Sequence, residues 1–366
     1  MAVALSSSRT ASLLVPWLGL LLFGTVMVGS ASVAMQGEYI NKHLIYLALA
    51  AIVSALVFAW PPTWWHKFYL IGWLVSLVVA LLVLVPGVGH EVNGASRWLQ
   101  LGGFTIQAAE VAKFGLCIYL AGYLSRHHEK IATDPHVLLV PLVMIGTIAG
   151  LLVAEPDLGS AVVILGATVG VLFIAGAKLR YFAAIVLVGV AALAALIKFE
   201  PYRLERFVTF LDPWPVAFDS GYQLTQALIG FGRGEMWGLG LGEGVQKLDY
   251  LPEAHNDFIY SVIAEELGVV GAIVLALVMA YLVLQIFFAA RRNFARQAYF
   301  AGVIAYFTGL VIGIQFLVNL GVNTGVLPTK GLTLPFVSYG GNSLIISCAL
   351  MALVLRTTLD KGGQHV

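Results

Sequence analysis

Pro252, Glu253, His255, Asn256 and Asp257 stand directly ahead of a long apolar run in LPEAHNDFIYSVIAEELG, Leu251 to Gly268. A carboxylate at the head of such a run can take a proton from a hydroxyl as a general base. Asn256 or Asp257 can equally cap the helix by accepting from a free backbone N–H, and both readings stay open for Asp257. Glu265 and Glu266 follow inside the run as interfacial carboxylates. A second cluster lies in NGASRWLQLGGFTIQAAEVAKF, Asn93 to Phe114, where Arg97 and Trp98 precede a helical stretch carrying Glu110 and Lys113. Spacing i, i+3 lets Glu110 and Lys113 pair on one helix face, which lowers the cost of placing Lys113 in a membrane. Arg97 and Lys113 could hold a diphosphate, with Trp98 against a sugar. A structural ion pair plus an interfacial aromatic belt accounts for the same residues.

The third stretch, GVLPTKGLTLPFVSYGGNSL from Gly325 to Leu344, is too rich in Pro and Gly for an ordinary span. Non-helical backbone at membrane depth must be buried in protein or line a wet cavity, which would place Lys330 and Ser338 in a cavity wall. A turn allowing close helix packing is the alternative. Glu155, Pro156 and Asp157 form a short acidic turn in which Asp157 reads equally well as an N-cap.

These residues need an apolar scaffold, and composition supplies one. Of 366 residues, 60% are hydrophobic and 11% charged, against about 25% charged in soluble domains. A water-soluble globule is excluded. The fold class is an all-α integral membrane protein, with apolar runs at 12 to 34, 44 to 60, 68 to 86, 106 to 124, 136 to 154, 158 to 176, 181 to 199, 258 to 290, 298 to 318 and 343 to 358. The chain reads as one polytopic domain, 1–366, with a large extracytoplasmic loop at 200 to 257 between spans seven and eight. Ten spans put both termini on one side. Loops on that side carry Lys and Arg at about three times the density of the opposite set, so both termini are expected in the cytoplasm. Of 19 acidic residues only Glu129, Asp134 and Asp360 fall there, so any chemistry is expected to face outward.

A straight helix from Phe258 to Ala290 would measure about 50 Å against a hydrocarbon core of about 30 Å, so its first turns must tilt, kink or stand above the lipid. Counting back about 20 residues from Arg291 puts Glu265 and Glu266 near the outer interface, and Asp257 about 12 Å further out if the helix is straight. The first apolar stretch ends in SASVA, which resembles a leader cleavage site. At 23 residues from Leu13 to Met35 it exceeds the roughly 7 to 15 of a leader core, and it is expected to remain as a span. No Walker loop, HExxH or CxxC is present, which argues against nucleotide hydrolysis on this chain. A net charge of +1 argues against nucleic acid as a partner.

GASRWL, EPDLG, FLDPW with DSGYQ, GLGLGEGVQKLDYLPEAHNDFI and LPTKGLTLPFVSYGGNS occur in that order over most of the chain. Together they resemble the SEDS family of bacterial shape, elongation, division and sporulation proteins, closer to its division branch than to its elongation branch. The chain departs at QAAEVAK, where the family commonly has QPSEFAK, and at Asn342, where it commonly has Ser. The resemblance implies a ten-span peptidoglycan glycosyltransferase of the bacterial inner membrane, at the septum if division-like. It would polymerise lipid II on the periplasmic face beside a class B penicillin-binding protein and other divisome membrane proteins. It also makes Asp257 the catalytic residue and places Arg97, Trp98, Glu110, Lys113, Asp157, Lys330 and Ser338 on the substrate cavity. On this reading Asp257 deprotonates the acceptor GlcNAc 4-hydroxyl, which attacks C1 of the donor MurNAc with inversion. Arg97, Lys113 and Lys330 offset charge on the departing diphosphate, with a Mg or Mn ion as an open option on Asp257 or Glu110. No dedicated metal site is legible. A lipid II flippase and a non-catalytic scaffold for the transpeptidase are the rival readings.

Overall fold

The computed structural model describes residues 8–33, 38–92, 95–102, 104–131, 133–199, 209–329 and 331–359. Helices fill each apolar run: α1 (Ser8–Ala31), α2 (Glu38–Ala59), the short α3 (Pro62–Lys67), α4 (Tyr69–Val83), α5 (Ala108–His127), α6 (Pro135–Ala154), α7 (Leu158–Ile174), α8 (Leu179–Phe199), α9 (Tyr222–Gly234), α10 (Ile259–Ala295), α11 (Tyr299–Asn323) and α12 (Gly341–Leu359). Six of these, α1, α2, α6, α10, α11 and α12, are long and apolar enough to cross a membrane, and α4, α7 and the first part of α8 are shorter apolar helices. The molecule is therefore a mostly helical membrane protein. Helices α5, α11 and α12 form its interior, while α2 and α4 turn rows of Leu, Ile and Val outward. Such rows find in lipid tails a solvent as apolar as themselves.

One element lies outside an all-α expectation. Between α4 and α5 the chain makes a three-stranded antiparallel sheet, β1 (Gly89–Val92), β2 (Ala95–Leu101) and β3 (Phe104–Gln107). Trp98 stands opposite His90 on one side and Gln107 on the other. The sheet sits at the end of the bundle where α5, α7, α10 and α12 begin and α4, α6 and α11 finish.

Of the tilt, kink or protrusion that a helix from Phe258 to Ala290 requires, the structure shows a kink. Helix α10 breaks at Gly268, whose φ of 69° and ψ of −178° are non-helical. The break is filled by the segment after α9. Leu239 and Gly240 N–H donate to the carbonyls of Glu265 and Glu266, while Val269 and Val270 N–H donate to those of Glu235 and Met236. Gly268 and Gly238, both at positive φ, allow this contact, since a Cβ on either would lie within 2.4 Å of the other strand's backbone. A height for Asp257 counted along an unbroken axis therefore does not apply.

Around the break a buried charge cluster ties three segments together. Lys247 Nζ donates to Glu266 Oε1 (2.6 Å), Ser30 Oγ (2.9 Å) and the Gly242 carbonyl (2.7 Å). Glu265 accepts from Gln246 N–H at 3.0 Å. Arg233 Nε stands 3.0 Å from its other oxygen, an ion-pair contact not aligned for a hydrogen bond. Ser30, in the small-residue end of the first span, thus belongs to this core.

Candidate active site

Asp257 is half-buried one residue before the N-cap of α10. The N-cap residue, Phe258, supplies no side-chain cap. The first-turn N–H of Ser261 is instead taken by Asn323 Oδ1, at 3.1 Å from the last turn of α11. The helix start is thus capped from a neighbouring helix. Asp257 does not perform that service.

Three successive carbonyls around Asp257 are each held. That of His255 accepts from Tyr339 N–H at 2.9 Å. That of Asn256 accepts from Ser338 Oγ at 2.7 Å. That of Asp257 accepts from the side-chain amides of Asn319 and Asn323, both at 2.9 Å. Asn319 also donates to the Leu332 carbonyl at 2.8 Å, so one amide fastens the Pro/Gly-rich loop to the backbone of Asp257. A Cβ placed on Gly331 would lie 3.1 Å from Asp257 Oδ2, which puts that loop against the carboxylate itself. Behind it, His255 packs 4.0 Å between ring centroids on Tyr39 and 5.5 Å on Tyr339. Burial lowers the His255 pKa and raises that of Tyr339 to about 12, so both are neutral near pH 7.

The other site residues reach the same end by a chain of contacts. Arg97 donates to the carbonyls of Glu155 (3.3 Å) and Pro156 (2.6 Å). Asp157 caps α7 through Ser160 N–H at 3.2 Å and accepts from Gln107 Nε2 at 3.2 Å. Gly159, just beyond, packs on Leu332, and Asn342 donates to the Thr105 carbonyl at 2.8 Å. The strands, the 155–157 turn and the loop beside Asp257 thus join in a ring. Ser338 lies in it with its hydroxyl spent on the Asn256 carbonyl and Leu334 N–H. Trp98 is half-buried in β2. Glu110 and Lys113 lie in the first two turns of α5, paired at 2.7 Å and almost fully buried. Their partner in the structure is each other and not Asp257. Lys330 lies outside the described residues.

Two further residues escaped the sequence reading, and a third, Glu155, was read only as part of an acidic turn. Asn319 and Asn323 fell beyond a span expected to end at 318, whereas α11 runs to Asn323. Their i, i+4 spacing in LVNLGVN, polar positions on one face of an apolar helix, was the available signal. Glu155 is 1% exposed, and neither carboxylate oxygen has a partner among the described residues. Burial and the neighbouring Asp157 raise its pKa to about 8 against the opposing pull of Arg97, so it is mostly protonated at neutral pH.

Residues 11–361 match the family FTSW_RODA_SPOVE, described as cell cycle protein. The chain is 47% identical over 355 residues to a protein of Methylomonas methanica, covering 94% of this chain and 91% of that one. It is 46% identical over 346 residues to one of Allochromatium vinosum, covering 93% and 87%. Both are named "Probable peptidoglycan glycosyltransferase FtsW". Among solved structures it resembles a chain from work on the structural coordination of polymerization and crosslinking by a peptidoglycan synthase complex, with TM-score 0.71, 30% identity and coverage of 93% and 96%. It also resembles the rod shape determining protein RodA of Thermus thermophilus, with TM-score 0.70, 28% identity and coverage of 96% and 97%.

Proposed function

Because the chain belongs to the FtsW, RodA and SpoVE family of cell cycle proteins, we propose that it is a peptidoglycan glycosyltransferase that polymerises lipid II. The names and coverage of its relatives support the activity. The observation that carries the site is the meeting of Asp257 with the Gly331–Leu332 loop, which a ring of contacts links to Arg97 and Asp157. In the reaction Asp257 takes the proton from the acceptor 4-hydroxyl, whose oxygen attacks C1 of the donor sugar from the face opposite the diphosphate. The bond from C1 to the diphosphate oxygen breaks with inversion. Arg97, Lys113 and Lys330 stabilise the departing charge, and Trp98 and Ser338 line the cavity.

A diphosphate-bound Mg or Mn ion needs only one or two protein carboxylates, and Glu110 Oε2 is buried without a partner among the described residues. Those residues include no group of three metal-ligating side chains. The ion would add positive charge at the leaving group, and the base step above does not pass through it.

Ten helices, α1, α2, α4 to α8 and α10 to α12, coincide with the ten apolar runs and support a ten-span topology with both termini in the cytoplasm. The site then faces the periplasm, the lipid tails stay in the inner membrane, and the division septum is the place of action. The complex-forming relative supports a class B penicillin-binding protein as partner, alongside other divisome proteins.

A flippase would use unwound backbone as ligands. At the Gly268 break the four exposed backbone groups are already hydrogen-bonded to the 235–240 segment, which favours the polymerase. Purified protein given lipid II should form glycan polymer, and Asp257→Asn should reduce the rate by at least about a hundredfold while keeping the wild-type unfolding midpoint. Polymer formation at the wild-type rate by that variant would remove the base assignment. Lipid II movement across liposomes without polymer would favour the flippase.

A further inference from the structure

We infer that Asn319 and Asn323 are positioning residues that aim the Asp257 carboxylate by holding its own peptide carbonyl, an inference that rests on the reading of Asp257 as the base. Residue 257 lies between a turn and a helix start, where no regular ladder fixes the backbone. A carboxylate there is aimed only as well as its peptide is held, and misplacement by about 1 Å can cost a hundredfold in rate.

Two amide donors converge on this one carbonyl from successive turns of α11, at 2.9 Å each. A carbonyl oxygen has two lone pairs, so both are engaged. Each amide has a second duty. Asn319 Nδ2 also holds the Leu332 carbonyl, which sets the loop opposite the carboxylate. Asn323 Oδ1 caps Ser261 N–H, which sets the start of α10. Asn323 Nδ2 in turn donates to the Asn319 carbonyl at 2.9 Å, locking the pair's register. Both side chains are at most 1% exposed, so water does not compete for these bonds. The pair fixes the base's peptide, the helix behind it and the loop in front of it with two amides.

Isosteric replacement separates aiming from folding. Asn323→Asp keeps an oxygen for Ser261 N–H and replaces the donor by an oxygen facing the Asp257 carbonyl. Asn319→Asp removes the donor shared by Asp257 and Leu332. The full chain in lipid nanodiscs is assayed with lipid II. Expected is a fall in kcat of about tenfold to a hundredfold per folded molecule for either variant, with KM within about twofold, beyond the lowered unfolding midpoint that a buried carboxyl facing carbonyl oxygens brings. Asn319→Gln, which keeps the donor on a longer arm, should recover part of the rate. Thr308→Val, an isosteric change on the same helix about three turns before Asn319, should behave as wild type. In an Asp257→Asn background, Asn319→Asp should cost nothing further, because it acts through the lost carboxylate. Unchanged kcat in both Asp variants, or a rate loss that only tracks a lowered midpoint, overturns the inference. Wild-type polymerisation by Asp257→Asn alone would remove the base reading and the inference with it, so the two failures are told apart.

Discussion

Lys247 and Lys113 are both buried beside a glutamate, yet their three ammonium donors are used differently. Lys247 gives its donors to Glu266, Ser30 and the Gly242 carbonyl, and Glu266 accepts from Ser30 as well. Lys113 makes a single hydrogen bond among the described residues, to Glu110 Oε1, and Glu110 Oε2 has none. A buried ammonium carries three donors, and leaving them unmade costs free energy. The saturated cluster is explained by folding: it fastens α1 and the 242–247 segment to the break in α10. The unsaturated pair has bonding capacity left for a ligand, and a phosphate oxygen is the acceptor that a spare ammonium donor suits.

Removing one member of each pair tests this division. Lys247→Met leaves Glu266 as an uncompensated buried charge and should lower stability by about 3–5 kcal/mol, read as a drop in the unfolding midpoint. Lys247→Met with Glu266→Gln removes both charges and should recover most of that loss, with wild-type polymerisation per folded molecule. If the double variant is stable but inactive, the cluster is part of the site and the contrast fails.

The Lys113 pair should behave the other way. Lys113→Met with Glu110→Gln should keep the unfolding midpoint within about 1 kcal/mol of wild type, because no bare charge remains. Polymerisation should fall by about a hundredfold or more through loss of positive charge at the diphosphate. A double variant with a wild-type rate would return Lys113 to a purely structural role.

The scaffold was legible because apolar runs of membrane length have one stable outcome in lipid, and all ten runs became helices. Asp257 and its loop were legible as dense polar or Pro/Gly stretches next to apolar runs. What stayed hidden depended on long-range pairing. Nothing local in IAEELGVVG marks a break at Gly268, since the backbone groups that satisfy it come from residues 235–240. The cap on α10 comes from Asn323, 62 residues further along, while the sequence offered nearby Asn256 and Asp257. The β1 to β3 strands are held by cross-strand partners rather than by a strong run of β-formers.

Glu155 extends the contrast to a buried acid that has no ammonium partner among the described residues. Where Glu266 pairs with Lys247, Glu155 among the described residues meets Arg97 at its backbone carbonyl and is mostly the neutral acid at neutral pH, with its pKa raised to about 8 by burial and by Asp157. The folded-state pKa lies above the unfolded value near 4.5, so the folded chain keeps a proton that the unfolded chain has released. Stability from this group is therefore fully present below about pH 4.5 and is lost as pH rises toward about 8. Between about pH 6.5 and 8 the loss is at most about 2 kcal/mol, at 1.36 kcal/mol per pH unit, the smallest of these effects. Wild-type protein should show an unfolding midpoint that falls over that interval, and Glu155→Gln, which cannot ionise, should flatten the slope. An equal slope in both proteins would mean that Glu155 is ionised in the fold, and its burial would then require a cation as close to it as Lys247 is to Glu266.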